Sequence, residues 1–267
     1  MKKNKPKFGL QIPPEDPKAW ILGGGNIPWE VLQQDGKWQK FLPNPEMQNK
    51  RGIETYDCTG FAILEAIETY ERRKFGKVIN YSDRWLGIIA GTGERRGNDP
   101  HTVCEAIRKY GLIPEEMLPF SDDLENYEEY YSFKGAEKTA CYEAGLKWLK
   151  ENDFMHEWVY NPTQPDDEKN NNAKISLKYC PIPCSVFAWV TDERGIYVGI
   201  GAQNHLTLME SYPDKTFFTA DSYEPTRKEV EQIPLFAKRI YITKKTETKP
   251  KKRWWFVQII INLFKGI

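Results

Sequence analysis

Cys58 lies in Glu54-Thr55-Tyr56-Asp57-Cys58-Thr59-Gly60-Phe61-Ala62, where a loop passes into a helical pattern. His205 follows 147 residues later, preceded by Asn204, and Asp221-Ser222-Tyr223 follows 16 residues beyond that. A cysteine, a distant histidine and then an Asp or Asn have the chemistry of thiol acyl transfer. The sulfur attacks a carbonyl, the imidazole moves the proton, and the third group fixes the tautomer and orientation of the ring. A thiol attacks only as thiolate, and its ordinary pKa near 8.5 leaves little of that form at neutral pH. Two features answer the need. A helix N-terminus presents unpaired N–H groups and the positive end of the macrodipole, and an imidazolium beside the sulfur does more. Asp57 works against the thiolate unless its carboxylate turns away to cap the helix.

These residues need elements to hold them. After Cys58, Phe61, Leu64, Ile67 and Tyr70 recur at helical spacing, with Asp57 at the N-cap position and Gly76 as the stop. Asn98-Asp99-Pro100 starts a second helix that ends at Tyr110-Gly111, and a third is expected over 136–151. Residues 161–174, with Asp166-Asp167-Glu168 and Asn170-Asn171-Asn172, read as a polar surface loop, and His156 falls in a surface connection. Strands are expected over 183–191, 195–199, 205–210, 216–220 and 238–243, with Tyr212-Pro213-Asp214-Lys215 as a turn. If the strands at 205 and 216 pair as a hairpin, their distal ends bring Asp221 to one nitrogen of His205 and leave the other for Cys58. Helices first and strands later give an α+β chain of two lobes with the site in the cleft between them.

The 267 residues suffice for one large domain or two lobes, and 40% hydrophobic content supplies a core. Lys+Arg and Asp+Glu are both 38, and this balance argues against nucleic acid as a partner. Nine Trp and fourteen Tyr are read as packing within and between the lobes. The basic start, Met1-Lys2-Lys3-Asn4-Lys5-Pro6-Lys7, leads into no apolar signal segment, so a cytoplasmic setting with reduced thiols is expected, whether a host cytoplasm or a virion. The cysteines are at 58, 104, 141, 180 and 184. Cys180-Pro181-Ile182-Pro183-Cys184 has no second pair to complete a zinc knuckle, and the chemistry above needs neither metal nor cofactor.

Over about residues 48–243 the chain resembles the papain-like cysteine peptidases, most of all divergent members encoded by bacteriophages. Asp57-Cys58-Thr59-Gly60-Phe61-Ala62 stands where that family has its nucleophile and central helix. Gly97-Asn98 resembles its glycine-containing substrate rim, and Leu118-Pro119-Phe120 its aromatic-proline turn. Asn204-His205 is similar to the general-base motif, and Asp221-Ser222-Tyr223 stands where Asn-Ser-Trp is usual. The resemblance implies hydrolysis of a peptide or related amide in a peptide or protein substrate. It assigns Cys58, His205 and Asp221 as the triad, Gln48 with a backbone N–H as the oxyanion donors, and Gly97 and Asn98 as substrate-binding residues. The departures are equally specific. Cys-Gly-Ser-Cys-Trp is absent, Asp221 replaces Asn, Tyr223 replaces Trp, and Gln48 lies ten residues before Cys58 rather than just ahead of it.

Asp-Cys-Thr-Gly is also similar to the Asp-Cys-Ser-Gly motif of cell-wall endopeptidases, which place the histidine much closer to the cysteine. A peptidoglycan cross-link therefore stays open as a substrate. A papain-like scaffold used for binding or as a virion component is the non-enzyme alternative. The expected organisation is an extended arm at 1–50 and a two-lobe domain at 51–243, with a helical lobe over about 51–150 and a β lobe over about 175–243. A basic linker and an apolar tail follow at 244–267. The tail segment 254–267, behind Lys251-Lys252-Arg253, is too short to span a bilayer. It has three readings: packing on its own domain, an interfacial membrane helix, or a docking peptide for another protein.

Overall fold

A computed structural model describes residues 9–11, 22, 27–93, 96–133, 135–160 and 162–245. The tail at 254–267 and most of the first 26 residues lie outside them. In chain order the elements are β1 (Asn49–Lys50), β2 (Ile53–Glu54), α1 (Cys58–Phe75), α2 (Asp83–Ala90), α3 (Pro100–Tyr110), α4 (Tyr127–Tyr130), α5 (Glu137–Glu151), β3 (Asn152–Trp158), α6 (Asp166–Ser176), β4 (Ile182–Val186), β5 (Tyr197–Val198), β6 (His205–Ser211), β7 (Phe217–Ala220), β8 (Arg227–Glu231) and β9 (Lys238–Lys244). The helices α1–α5 come first and most strands later, giving an α+β molecule of two lobes.

α1 is the central helix, and it starts at Cys58 itself. Its first fourteen residues are buried except Glu65, because one face meets α2 and α3 while another lies on β6, β4 and β9. Ile63, Ile67 and Tyr70 join Leu206, Leu208, Ile240 and Ile242 in one core. Gly76, at φ 64°, closes the helix in the left-handed conformation. α3 begins as its sequence dictates. Asp99 Oδ1 accepts from the N–H groups of His101 and Thr102 at 2.9 and 3.0 Å, and Pro100 occupies the first turn, where no N–H is needed. α2 is capped the same way, by the Ser82 hydroxyl accepting from the Trp85 N–H at 3.1 Å.

The β lobe is a five-stranded sheet of order β4-β6-β7-β8-β5, antiparallel except where β5 pairs with β8. The strands β3 and β9 form an antiparallel pair, from Asn152↔Lys244 to Trp158↔Lys238, and the Cys184↔Ala237 bridge ties that pair to the sheet. The short hairpin β1–β2 turns through Arg51 and Gly52, both with positive φ (53° and 84°), the conformation tight hairpins require. It holds Gln48 and Glu54 at its open end. Residues 27–48 follow a course irregular but for one 3-10 turn at Gln39–Phe41, anchored by the fully buried Trp38, whose indole N–H donates to the Leu177 carbonyl at 2.7 Å.

Two expectations are corrected. Residues 166–176 form α6 rather than a loop. Asp166, Asp167 and Glu168 sit on its first turn and Lys174 on its last, an arrangement that complements the helix dipole. His156 lies on β3 and is buried, with Nε2 2.8 Å from Glu105 Oε1. Sequence reading also passed over α2 and β8.

Glu65 of α1 gives a test of this packing. Glu65 keeps some surface exposure, but enclosure of its carboxyl by the surrounding protein, reinforced by the charges of Asp221, Glu210 and Glu46, raises it to about 8 from an ordinary 4.5. The folded state therefore favours the neutral acid. Its contribution to stability is complete below about 4.5 and is lost as pH rises through about 8. Glu65→Gln should match the parent in thermal denaturation at pH 4 and exceed it at pH 8.5 by at least ~2 °C, roughly 1 kcal/mol for a chain of this size. A difference that does not change with pH would remove Glu65 from the protein's pH dependence.

Candidate active site

The β6–β7 hairpin places the histidine and the carboxylate. His205 is the first residue of β6 and Asp221 directly follows β7, and the two strands pair antiparallel through Leu208↔Ala220 and Met209↔Thr219. Their distal ends therefore meet, and His205 Nε2 lies 2.9 Å from Asp221 Oδ1. Both side chains are wholly buried. Nδ1 is the ring atom turned away from Asp221, and the Cys58 side chain stands close enough to the imidazole to raise its proton affinity.

Burial alone would lower the pKa of His205. The Asp221 charge and hydrogen bond override it, the Cys58 sulfur adds to them, and the imidazole is carried up to about 9. Burial likewise pushes Asp221 up, but His205 and then Lys228 outweigh it and hold the carboxyl below its ordinary value. Lys228 Nζ, on β8 and almost fully buried, stands 2.9 Å from Asp221 Oδ2 and donates to the Tyr223 carbonyl at 2.9 Å. The imidazole packs against two aromatic rings that also touch each other, with Trp189 and Tyr223 centroids 5.1 and 5.4 Å away and 5.7 Å apart. The Trp189 indole N–H donates to Asn204 Oδ1 at 3.0 Å, and the Tyr223 N–H donates to Asp221 Oδ1 at 2.9 Å.

On the other lobe, Cys58 opens α1, whose first-turn N–H groups lack intrahelical partners. Asp57 stands at the N-cap position, and its carboxyl accepts from the Thr92 hydroxyl at 3.0 Å. Burial raises it to about 7, against the Thr92 bond and the Gly60 N–H. Asp57 is therefore partly neutral near neutral pH, which reduces its opposition to a neighbouring thiolate.

Gln48 is fully buried near this site, but its amide is already engaged. Nε2 donates to Glu54 Oε1 at 2.8 Å and to the Tyr223 hydroxyl at 2.7 Å, while Oε1 accepts from the Ser222 hydroxyl at 2.8 Å. An amide has two N–H bonds, and both are committed here, so Gln48 can serve an oxyanion only by releasing one.

Gly97 and Asn98 line a cleft that holds the chain's own segment Gly9–Gln11. The Asn98 N–H donates to the Gly9 carbonyl at 2.7 Å, the Gln11 N–H donates to the Asn98 carbonyl at 2.9 Å, and the Leu10 N–H reaches the Asn204 carbonyl at 3.4 Å. The segment bridges from the rim to the residue beside His205. Asn98 turns its side chain inward, with Nδ2 donating to the Ala90 carbonyl at 2.9 Å.

No family model and no curated protein matches this chain in sequence. Solved structures do match. The proform of Amb a 11, a ragweed pollen cysteine protease, aligns at 15% identity and TM-score 0.54, over 80% of this chain and 66% of its own. Digestive procathepsin L 3 from Tenebrio molitor larval midgut aligns at 11% identity and TM-score 0.54, over 83% and 72%. A recombinant stem bromelain precursor aligns at 13% and 0.52, again over 83% and 72%. The chain thus spans about two thirds of the length of these neighbours.

The fold is papain-like. Within it, Cys58, His205 and Asp221 meet at the seam between the central helix and the β lobe, and Gly97 and Asn98 line the adjoining cleft. Sequence reading missed Lys228, Trp189, Thr92 and Glu54. Lys228 belongs to a strand that was not recognised, and nothing local marks it. Trp189 had a partial signal, since Tyr223 stands where a shielding Trp was wanted and another ring had to supply the cover. Among the described residues no cluster of His, Cys, Asp and Glu could hold a metal.

NMR titration of the His205 ring tests the electrostatics. Its proton should persist to about pH 9, and in Asp221→Asn the midpoint should fall to or below the ordinary 6.5, because burial then prevails. With the folded value raised, the pair stabilises fully below 6.5, and that contribution is lost as pH rises through 9. An unchanged midpoint in Asp221→Asn would mean that the carboxylate does not govern the ring.

Proposed function

We propose that this chain is a cysteine-type peptidase that hydrolyses a peptide or related amide bond through Cys58, His205 and Asp221. The observation that carries the reading is the buried imidazole paired with Asp221 and close to Cys58, with a proton affinity raised to about 9. An imidazolium so placed is the partner a nucleophilic thiolate needs. The structural neighbours at 11–15% identity are proteases, which supports a peptidase fold. They are plant and insect proteins, so the bacteriophage-type likeness rests on the sequence motifs alone.

In the proposed sequence the Cys58 thiolate adds to the substrate carbonyl and a C–S bond forms. The negative oxygen is met by backbone N–H at the start of α1, joined by Gln48 once substrate draws one amide hydrogen away from Tyr223. The tetrahedral adduct collapses, the C–N bond breaks, and the His205 imidazolium gives its proton to the departing amine. The neutral imidazole then takes a proton from water, hydroxide attacks the thioester, and the C–S bond breaks. This releases the carboxylic acid product and returns thiolate and imidazolium. Asp221 keeps the ring oriented throughout and need not exchange a proton.

One observation favours a weakly active binding scaffold instead: both Cys58 and His205 are fully buried. A thiol-directed activity probe separates the two readings. The peptidase reading expects labelling at Cys58 that drops at least 10²-fold in His205→Ala, and hydrolysis abolished in Cys58→Ala. Hydrolysis that survives Cys58→Ala would refute the assignment, and labelling indifferent to His205 would favour the scaffold.

A further inference from the structure

The segment in the cleft is held so closely that only glycine fits. A Cβ built on Gly9 would lie 1.8 Å from the Tyr56 carbonyl oxygen and 3.0 Å from its Cα. On the opposite wall, a Cβ on Gly97 would lie 1.5 Å from the Gly9 carbonyl oxygen. Both obstacles are backbone, which cannot swing aside as the end of a flexible side chain can.

Both walls are also anchored. Tyr56 takes φ 58°, unusual for a residue with a side chain. It is fixed by its N–H to Glu54 Oε1 at 3.0 Å and, one residue earlier, by the Tyr131 hydroxyl on the Thr55 carbonyl at 2.8 Å. The Asn98 carbonyl takes the Thr59 hydroxyl at 3.0 Å in addition to the Gln11 N–H. The next residue, Leu10, packs against the main core. The Gln11 side-chain amide donates to the carbonyls of Arg96 at 2.8 Å and Gly97 at 3.2 Å. A strand laid along a rim by main-chain bonds, with its side chains in separate surroundings, is how extended peptides are recognised.

We propose that the cleft contains a glycine-only subsite between Tyr56 and Gly97-Asn98, that it takes peptides with glycine followed by an aliphatic residue, and that Gly9-Leu10 of the same chain is its resident ligand. Binding at the subsite stands on the geometry above, and its consequence for substrate choice rests on the peptidase reading. Any peptide threaded past Tyr56 meets the same walls, so a side chain at that position must displace backbone. While Gly9–Gln11 is seated, it occupies the path to Cys58 from the rim to Asn204.

The test uses the full chain and iodoacetamide alkylation of Cys58, followed by peptide mass mapping. Gly9→Ala should release the segment and speed Cys58 alkylation at least tenfold. Gly97→Ala, on the opposite wall, should do the same without altering the segment. In the Gly9→Ala chain, a synthetic peptide of residues 5–14 should slow alkylation again, and the same peptide with alanine for its glycine should need at least tenfold higher concentration. Peptides that open chain hydrolyses should show at least a tenfold drop in kcat/KM when that glycine becomes alanine. Unchanged alkylation in both variants, equal protection by the two peptides, or indifference of hydrolysis to the glycine would overturn the proposal. Alkylation that Gly9→Ala accelerates but His205→Ala does not slow would sink the peptidase reading while leaving the subsite in place.

Discussion

The buried bond between His205 and Asp221 is the constraint that the surrounding structure is built to satisfy. Two titratable side chains without solvent exposure are costly, because each loses its hydration and the mutual attraction repays this only with good geometry and further partners. The structure supplies those partners. Lys228 and the Tyr223 N–H share the carboxylate, and Trp189 and Tyr223 cover the ring. Imidazolium and ammonium both face the one carboxylate, which is why its proton affinity stays below the ordinary range despite burial.

Satisfying that bond also determines where each element must lie. The His205–Asp221 contact needs the β6–β7 pairing in register, because a slip of one residue would send the alternate side chains to the opposite face. It needs β8 beside β7, since Lys228 lies opposite Thr219 in that ladder. It needs α1 against β6, so that the helix start reaches the ring. The sheet supplies two members of the proposed triad and the ammonium behind them, while the helical lobe supplies only the sulfur. The geometry of the candidate site therefore depends on how firmly α1 rests on the sheet, and the continuous core from Ile63 and Ile67 to Leu206 and Leu208 provides that support.

How much of this could be read in the sequence follows from the range of the forces involved. α1 and α3 were legible because caps, periodicity and stop signals are local: Gly76 ends one helix, and Asp99-Pro100 starts the other. The hairpin was legible because a separation of 16 positions from His205 to Asp221, with a turn at Tyr212-Pro213, leaves few other pairings. α6 was not, because a helix of Asp, Glu, Lys and Asn has no apolar stripe to announce it, and its stability comes from its dipole and from docking Ala173 and Leu177 on the core. Lys228 was not, because a lysine on a short polar strand reads as solvated until its carboxylate is found. The engagement of Gln48 was hidden for the same reason, since Ser222 and Tyr223 lie more than 170 residues away.

Tyr223 joins these parts. Its backbone N–H holds Asp221, its carbonyl takes Lys228, its ring covers His205, and its hydroxyl meets both Gln48 and Glu54, 2.6 Å from Glu54 Oε2. Glu54 in turn accepts from the Tyr56 N–H, and Tyr56 forms one wall of the glycine throat. A connected set of hydrogen bonds therefore runs from the carboxylate beside the imidazole, through Tyr223 and the Gln48 amide, to the Tyr56 backbone. Glu54 Oε1 accepts from both the Tyr56 N–H and the Gln48 amide, so the wall of the throat and that amide share one acceptor. In the proposed reaction, a peptide that shifts Tyr56 therefore acts on the Gln48 amide through Glu54.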